Sequence, residues 1–194
     1  MKTKLLFGLS LVAILFAGCV VQSIQPLFSE KDSVEYPALI GTWKQQDENK
    51  EISVWTFSKD GEHYKLVHTD ENGRRASFAV IAGKIGTNVF LDLVLTEIEP
   101  HDSLNALAQF GLIPAHGFVK VLKTGDGLLL VAMNYDWLEK QLQAHPETVT
   151  HAVQDKRFLL TASTGELKSF VAKYANDAAA FQNEIRLMPK SPVK

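Results

Sequence analysis

The sequence predicts a mainly β fold with added α: an antiparallel meander curling into a barrel or half-barrel, two short helices, and a C-terminal amphipathic helix. Three observations predict it. Runs of alternating apolar and polar residues recur from Leu39 to Asn134, tight-turn residues such as Asp60-Gly61 and Asn72-Gly73 separate them, and an apolar stripe of helical period follows Ser163.

The first strands are Leu39–Gln45 and Glu51–Ser58, joined by the polar turn Asp47-Glu48-Asn49-Lys50. In the second, Ile52-Val54-Thr56 alternates with Ser53-Trp55-Phe57, so both faces carry apolar groups. Lys59-Asp60-Gly61 turns the chain into Glu62–Thr69, and Asp70-Glu71-Asn72-Gly73 turns it again into Arg75–Gly83. That strand puts Ala76, Phe78, Val80 and Ala82 on one face. After Gly86, Asn88–Glu97 carries Val89, Leu91, Leu93 and Leu95 on one face, with Phe90, Val94 and Ile98 opposite.

The second half mixes periods. Ser103–Phe110 has helical spacing, with Ser103 as cap and Gly111 as stop. His116–Lys123 and Gly127–Asn134 read as a strand pair. Asp136-x-x-Glu139 resembles a capping box that opens a short helix through Gln143, and Lys156–Thr161 reads as the eighth strand. Ser163-x-x-Glu166 opens the longest helix, whose stripe runs through Leu167, Phe170, Val171, Tyr174, Ala178 and Phe181. Residues 188–194, with two prolines, read as a loose tail.

Eight strands suffice to close a barrel, which removes exposed edges and leaves room for side chains or one small ligand. Gly41-Thr42-Trp43 at the first strand resembles the G-x-W motif of lipocalins. The resemblance implies that Trp43 plugs the barrel base and that an Arg from the last strand packs over it, a position Arg157 occupies here. The helices within the strand order depart from that pattern, so an open, curved sheet backed by helices is the other architecture expected.

The N-terminus reads as an address. Lys2 and Lys4 precede the 13-residue apolar run Leu5–Ala17, too short for a spanning helix, which needs about 20 residues. A charged start, a short apolar core and a small-residue cleavage site describe a secretory signal. Leu15-Phe16-Ala17-Gly18-Cys19 resembles the lipobox of bacterial lipoproteins, in which the cysteine is lipidated after cleavage. That implies palmitate-type acylation of Cys19 and a membrane partner. Val20, where an inner-membrane retention signal often has Asp, implies the outer membrane, on its periplasmic face, in a Gram-negative cell. The alternative is an ordinary signal peptide that leaves Cys19 a free thiol, a liability in an oxidising compartment.

These readings divide the chain into a signal (1–18), a lipidated tether (19–37), one β-rich domain (38–187) and the tail. Leu27 and Phe28 are costly to leave wet, so part of the tether is open to packing. Removing the first 18 of 194 residues leaves 176, within the size of one domain. The mature chain then has 18 basic and 22 acidic side chains, a net charge of −4 with no basic stripe, which gives nucleic-acid binding no electrostatic support.

No residue pattern specifies a reaction or a cofactor. The six histidines, His63, His68, His101, His116, His145 and His151, form no compact ligand spacing, so no metal is expected. There is no G-x-S-x-G elbow and no phosphate loop. Asp92, between Leu91 and Leu93, is the most unusual polar residue; the expectation is that it faces water while Leu91 faces the core. Trp55, Phe57, Tyr64, Phe78, Phe90 and Phe118 are candidates to line an apolar cavity, although they serve equally to fill a solid core. The leading expectation is a non-enzymatic, membrane-anchored module that binds an apolar or lipid-like small molecule. The alternative is an envelope protein that docks another protein and has a filled core. An enzyme using Asp92, His101 or His116 ranks third.

Overall fold

In this computed structural model the described residues are 21–46, 51–99, 114–155 and 157–190. The expected signal, Cys19, His101 and the expected helix Ser103–Phe110 lie outside them. Strands run β1 (Gln22–Ser23), β2 (Gly41–Gln46), β3 (Glu51–Asp60), β4 (His63–Asp70), β5 (Arg75–Ile85), β6 (Asn88–Glu99), β7 (His116–Thr124), β8 (Gly127–Met133), β9 (His151–Gln154), β10 (Arg157–Leu160) and β11 (Phe181–Pro189). Two α-helices are described, α1 (Tyr135–Ala144) and α2 (Thr164–Tyr174).

The meander closes. Strands β2 to β8 pair in sequence, and β11 pairs with both β8 and β2, giving a closed eight-strand antiparallel barrel of lipocalin-like form. Closure leaves no free edge within the ring.

The closing strand is the main departure from expectation. The sequence reading gave that place to Lys156–Thr161 and ran the last helix to Phe181. Instead α2 stops at Tyr174, and residues 181–189 form β11. Phe181 is buried, and Ile185 and Leu187 are buried between exposed neighbours, a strand alternation broken by one bulge near Phe181. Phe181 also fits the helical stripe from Leu167, which hid the change of period. Residues 188–190, expected in the loose tail, are therefore ordered, the Lys190 N–H donating to Thr42 O at 2.9 Å, and β10 pairs with β9 outside the ring.

Two apolar cores result. Inside the barrel, Trp43, Phe57, Tyr64, Leu66, Val80, Leu91 and Leu130 pack together with further aliphatic side chains. Outside, the β5–β8 wall presents Ile85, Phe90, Phe118, Val131 and Met133 to α1 and α2, through Leu138, Leu142, Leu167, Phe170 and Val171. This second core explains why the strands are apolar on both faces.

Each helix start is fixed by a side chain. Asn134, two residues before the expected cap, accepts from the N–H groups of Asp136 and Trp137 at 3.0 and 3.5 Å. Ser163 accepts from the Glu166 N–H at 3.3 Å. Glu166 does not complete a capping box; its carboxylate accepts from the N–H and hydroxyl of Thr150 at 2.6 and 2.8 Å.

The expected tether is packed from Val21 onward, a correction with a clear cause. Val21, Leu27, Phe28 and Leu39 are buried, each worth roughly 1.5–3 kcal/mol against exposure. The segment is a strap across the outer wall. Ile24 N–H donates to Leu160 O at 2.9 Å, Thr164 Oγ1 to Pro26 O at 2.7 Å, and Val34 N–H to Ala82 O at 2.8 Å. Phe28 sits on Gly83, where any Cβ would lie 2.5 Å from its ring. The strap then seals one end of the barrel, as the Tyr36 N–H donates to the Tyr64 hydroxyl at 2.7 Å.

Candidate binding site at the barrel end away from the strap

Strand alternation decides which side chains enter the barrel. Cross-strand pairs Trp43–Trp55, Phe57–Leu66, Tyr64–Val80, Ala82–Leu91 and Leu91–Val119 fix the inward register. At the strap end the interior is full: Leu39, Phe57, Tyr64, Leu66, Val80, Leu91 and Leu130 are each no more than 1% exposed. Toward the opposite end, Trp55, His68, Phe78, Leu93 and Val119 are only half-buried. Gly117, opposite Leu93, adds no side chain there.

This end carries a short polar chain on an apolar wall. Trp55 Nε1–H donates to Ser53 Oγ at 2.9 Å, and the Ser53 hydroxyl donates to Gln45 Oε1 at 2.9 Å. The His68 ring stands edge-on to Trp55, centroids 4.9 Å apart at 79°. Burial pulls the His68 pKa below the ordinary histidine value, and the nearby Asp70 carboxylate opposes this in part. A neutral imidazole beside an indole suits an uncharged or apolar guest, with the half-buried rings supplying contact area.

The sequence-selected residues divide. Trp55, Phe57, Tyr64 and Phe78 point into the barrel, and of these Trp55 and Phe78 stand toward the end away from the strap. Phe90 and Phe118 are corrected: both face outward into the helix-covered core, because Leu91 and Val119, one residue along, take the inward positions. Gln45, Ser53, His68, Leu93 and Val119 were missed as mouth residues. Their signal was alternation in register with Phe57, Leu66 and Leu91.

The lipocalin-type positions also divide. Gly41 takes φ +146°, a conformation that favours glycine, and a Cβ added there would lie 3.6 Å from the Trp43 ring. Trp43 is buried, and its Nε1–H donates to Leu39 O at 2.9 Å, joining the sealed end to the strap. Arg157 opens β10 and is exposed opposite Gln154, off the ring, so it does not stand on the last barrel strand. Comparison of the chain with protein-family models, curated proteins and solved structures finds no match.

Asp92 is also corrected. It points out of the barrel as expected, but the strap covers it and leaves it 3% exposed. Its Oδ2 accepts from the N–H groups of Leu27 and Phe28 at 2.6 and 3.4 Å, and its Oδ1 lies 2.7 Å from His116 Nδ1. Leu91 is in the core. The pair is a fastening, with its carboxylate occupied by the strap. Among the described residues, no group of three or more His, Cys, Asp or Glu side chains is placed to hold a metal ion. No described helix is long and apolar enough to cross a membrane.

Proposed function

We propose that this protein is an exported lipoprotein, acylated at Cys19, whose barrel binds an apolar or lipid-like small molecule at the end away from the strap without transforming it. The observation that carries the reading is the uneven interior. One end is filled to near-complete burial, while the other leaves Trp55, Phe78, Leu93 and Val119 half-wet around His68. Half-buried aromatic and aliphatic side chains facing one another across a barrel mouth regain contact when an apolar guest displaces their water. The lipobox-like residues support the anchor, and in a Gram-negative cell Val20 supports the outer membrane.

The test is native mass spectrometry of a soluble Cys19→Ala form retaining every residue from Val21. Co-purifying lipid, released by organic extraction, supports the carrier. Its absence, together with no saturable uptake of a fluorescent fatty-acid analogue, rejects it. The filled half of the barrel favours a second reading, an envelope docking protein. In-cell crosslinking that recovers a protein partner, with no bound lipid, would select it.

A further inference from the structure

We infer that the β9–β10 hairpin lies against the phospholipid bilayer, held there by the short reach between the acylated Cys19 and the ordered chain. This rests on the anchor proposed above and adds an orientation. The chain is fixed from Val21, which is 4% exposed in the outer core, and β1 is hydrogen-bonded into the sheet. Two residue steps separate Val21 from Cys19, a span of at most about 7 Å whatever path they take. A free 18-residue tether would have reached on the order of 25 Å. The bilayer must therefore meet whatever surface adjoins Val21.

That surface is the hairpin. Strand β1 runs parallel to β10 with Ser23 opposite Leu160, so the chain before β1 heads back toward the start of β10 and the β9–β10 turn, where Phe158 lies. Phe158 pairs with Val153 of β9, the edge of the sheet, and the turn beyond it passes through Asp155 at φ +49°. Val153 is 57% exposed, the most exposed of the large apolar side chains described, and Arg157 beside the turn is also exposed. An apolar side chain flanked by an arginine at a sheet edge suits the head-group boundary, where the guanidinium stays wet beside phosphate and the valine is covered. Asp155, exposed at the same turn, opposes anionic head groups, so reach and apolar contact carry the docking, not net charge.

The full-length acylated protein tests this. Acylation consumes the sole native thiol, so Val153→Cys and, on the far turn, Asn72→Cys each give one labelling position. Each variant is labelled with a thiol-reactive fluorophore and reconstituted in phosphatidylethanolamine–phosphatidylglycerol vesicles containing a nitroxide head-group lipid. Quenching should be strong at position 153 and weak at 72. A Gly-Ser insert of about ten residues between Val20 and Val21, adding roughly 17 Å of reach, should abolish the difference. Equal quenching at both positions in protein that incorporates radioactive palmitate overturns the orientation and leaves the anchor standing. Failure to incorporate palmitate overturns both.

Discussion

Asp92 and His116 meet on the outer wall of the barrel, Oδ1 to Nδ1 at 2.7 Å, while the other carboxylate oxygen holds the Leu27 N–H at 2.6 Å. One side chain of β6 thus fastens both the start of β7 and the strap. The strap in turn closes the barrel base through Tyr36 and Leu39, and its Val21, Leu27 and Phe28 join Phe90 and Phe118 in the outer core. A soluble form that begins beyond the strap would lose both functions, so any binding experiment must keep residues 21–40.

Asp92→Ala should destabilise the protein by about 3 kcal/mol, because two backbone N–H groups and an imidazole lose their acceptor where water does not replace it. The urea midpoint measures this. His116→Ala should cost less, since it removes one of three partners and its ring is partly exposed, and the two losses should be less than additive. An Asp92→Ala midpoint equal to wild type would show that the fastening carries no weight.

Gly83→Ala should cost about 1–3 kcal/mol, since the new methyl would stand 2.5 Å from the Phe28 ring. Phe28→Ala alone should cost about 3–5 kcal/mol for the cavity it leaves. In the double variant the methyl has space, so the total should fall short of the sum. Simple additivity in thermal or urea unfolding would mean that Phe28 does not seat on Gly83.

Most of the barrel was legible because a strand's period of two survives on both faces. Leu91 and Phe90 alternate in the sequence, and the structure sends one into the barrel and the other into the helix-covered core. Which face was inside was not legible, because a second core made both faces apolar. Phe90 and Phe118 were assigned to the lining for that reason. Phe181 was misread because it satisfies two periods at once, and only pairing with Met133 settles its role as a strand start. Asp92 looked solvated because its partners are His116, 24 residues on, and backbone groups of a segment 64 and 65 residues away, and local sequence does not encode such pairs.

Acid should loosen the strap through Asp32. Its carboxyl, held by Lys168 at 2.5 Å and by the Ser29 hydroxyl and N–H, has its pKa lowered from 3.8 to about 2. The unfolded chain takes up this proton first, so the stability from Asp32 is complete above about pH 4 and is lost as pH falls toward 2. After allowance for solvent screening of a partly exposed pair, this is about 1 kcal/mol. Lys168→Met should lower stability at neutral pH by about that amount, leave it nearly unchanged near pH 2, and so flatten that limb of the pH–stability curve. An identical acid limb in both proteins would remove Lys168 from the account.

His68 gives ligand binding a pH dependence. Its pKa is lowered chiefly by burial, so the unfolded chain binds this proton first and the stability from neutral His68 falls as pH drops below about 6.5. A guest that covers the ring deepens the burial, so affinity should fall over the same range. His68→Leu should bind at least as tightly and lose the dependence. Binding that strengthens on acidification would place a charged imidazole against the guest and contradict an apolar ligand.

The most direct measurement is a titration of a fluorescent fatty-acid analogue into the soluble Cys19→Ala protein and into the same protein carrying Phe78→Asp, which sets a carboxylate among the half-buried apolar side chains of the mouth. Saturable micromolar binding, weakened at least about tenfold by Phe78→Asp (about 1.4 kcal/mol) while the fold persists by circular dichroism, is the predicted result. No saturable binding, or equal binding by both proteins, would contradict a ligand site at the barrel end away from the strap.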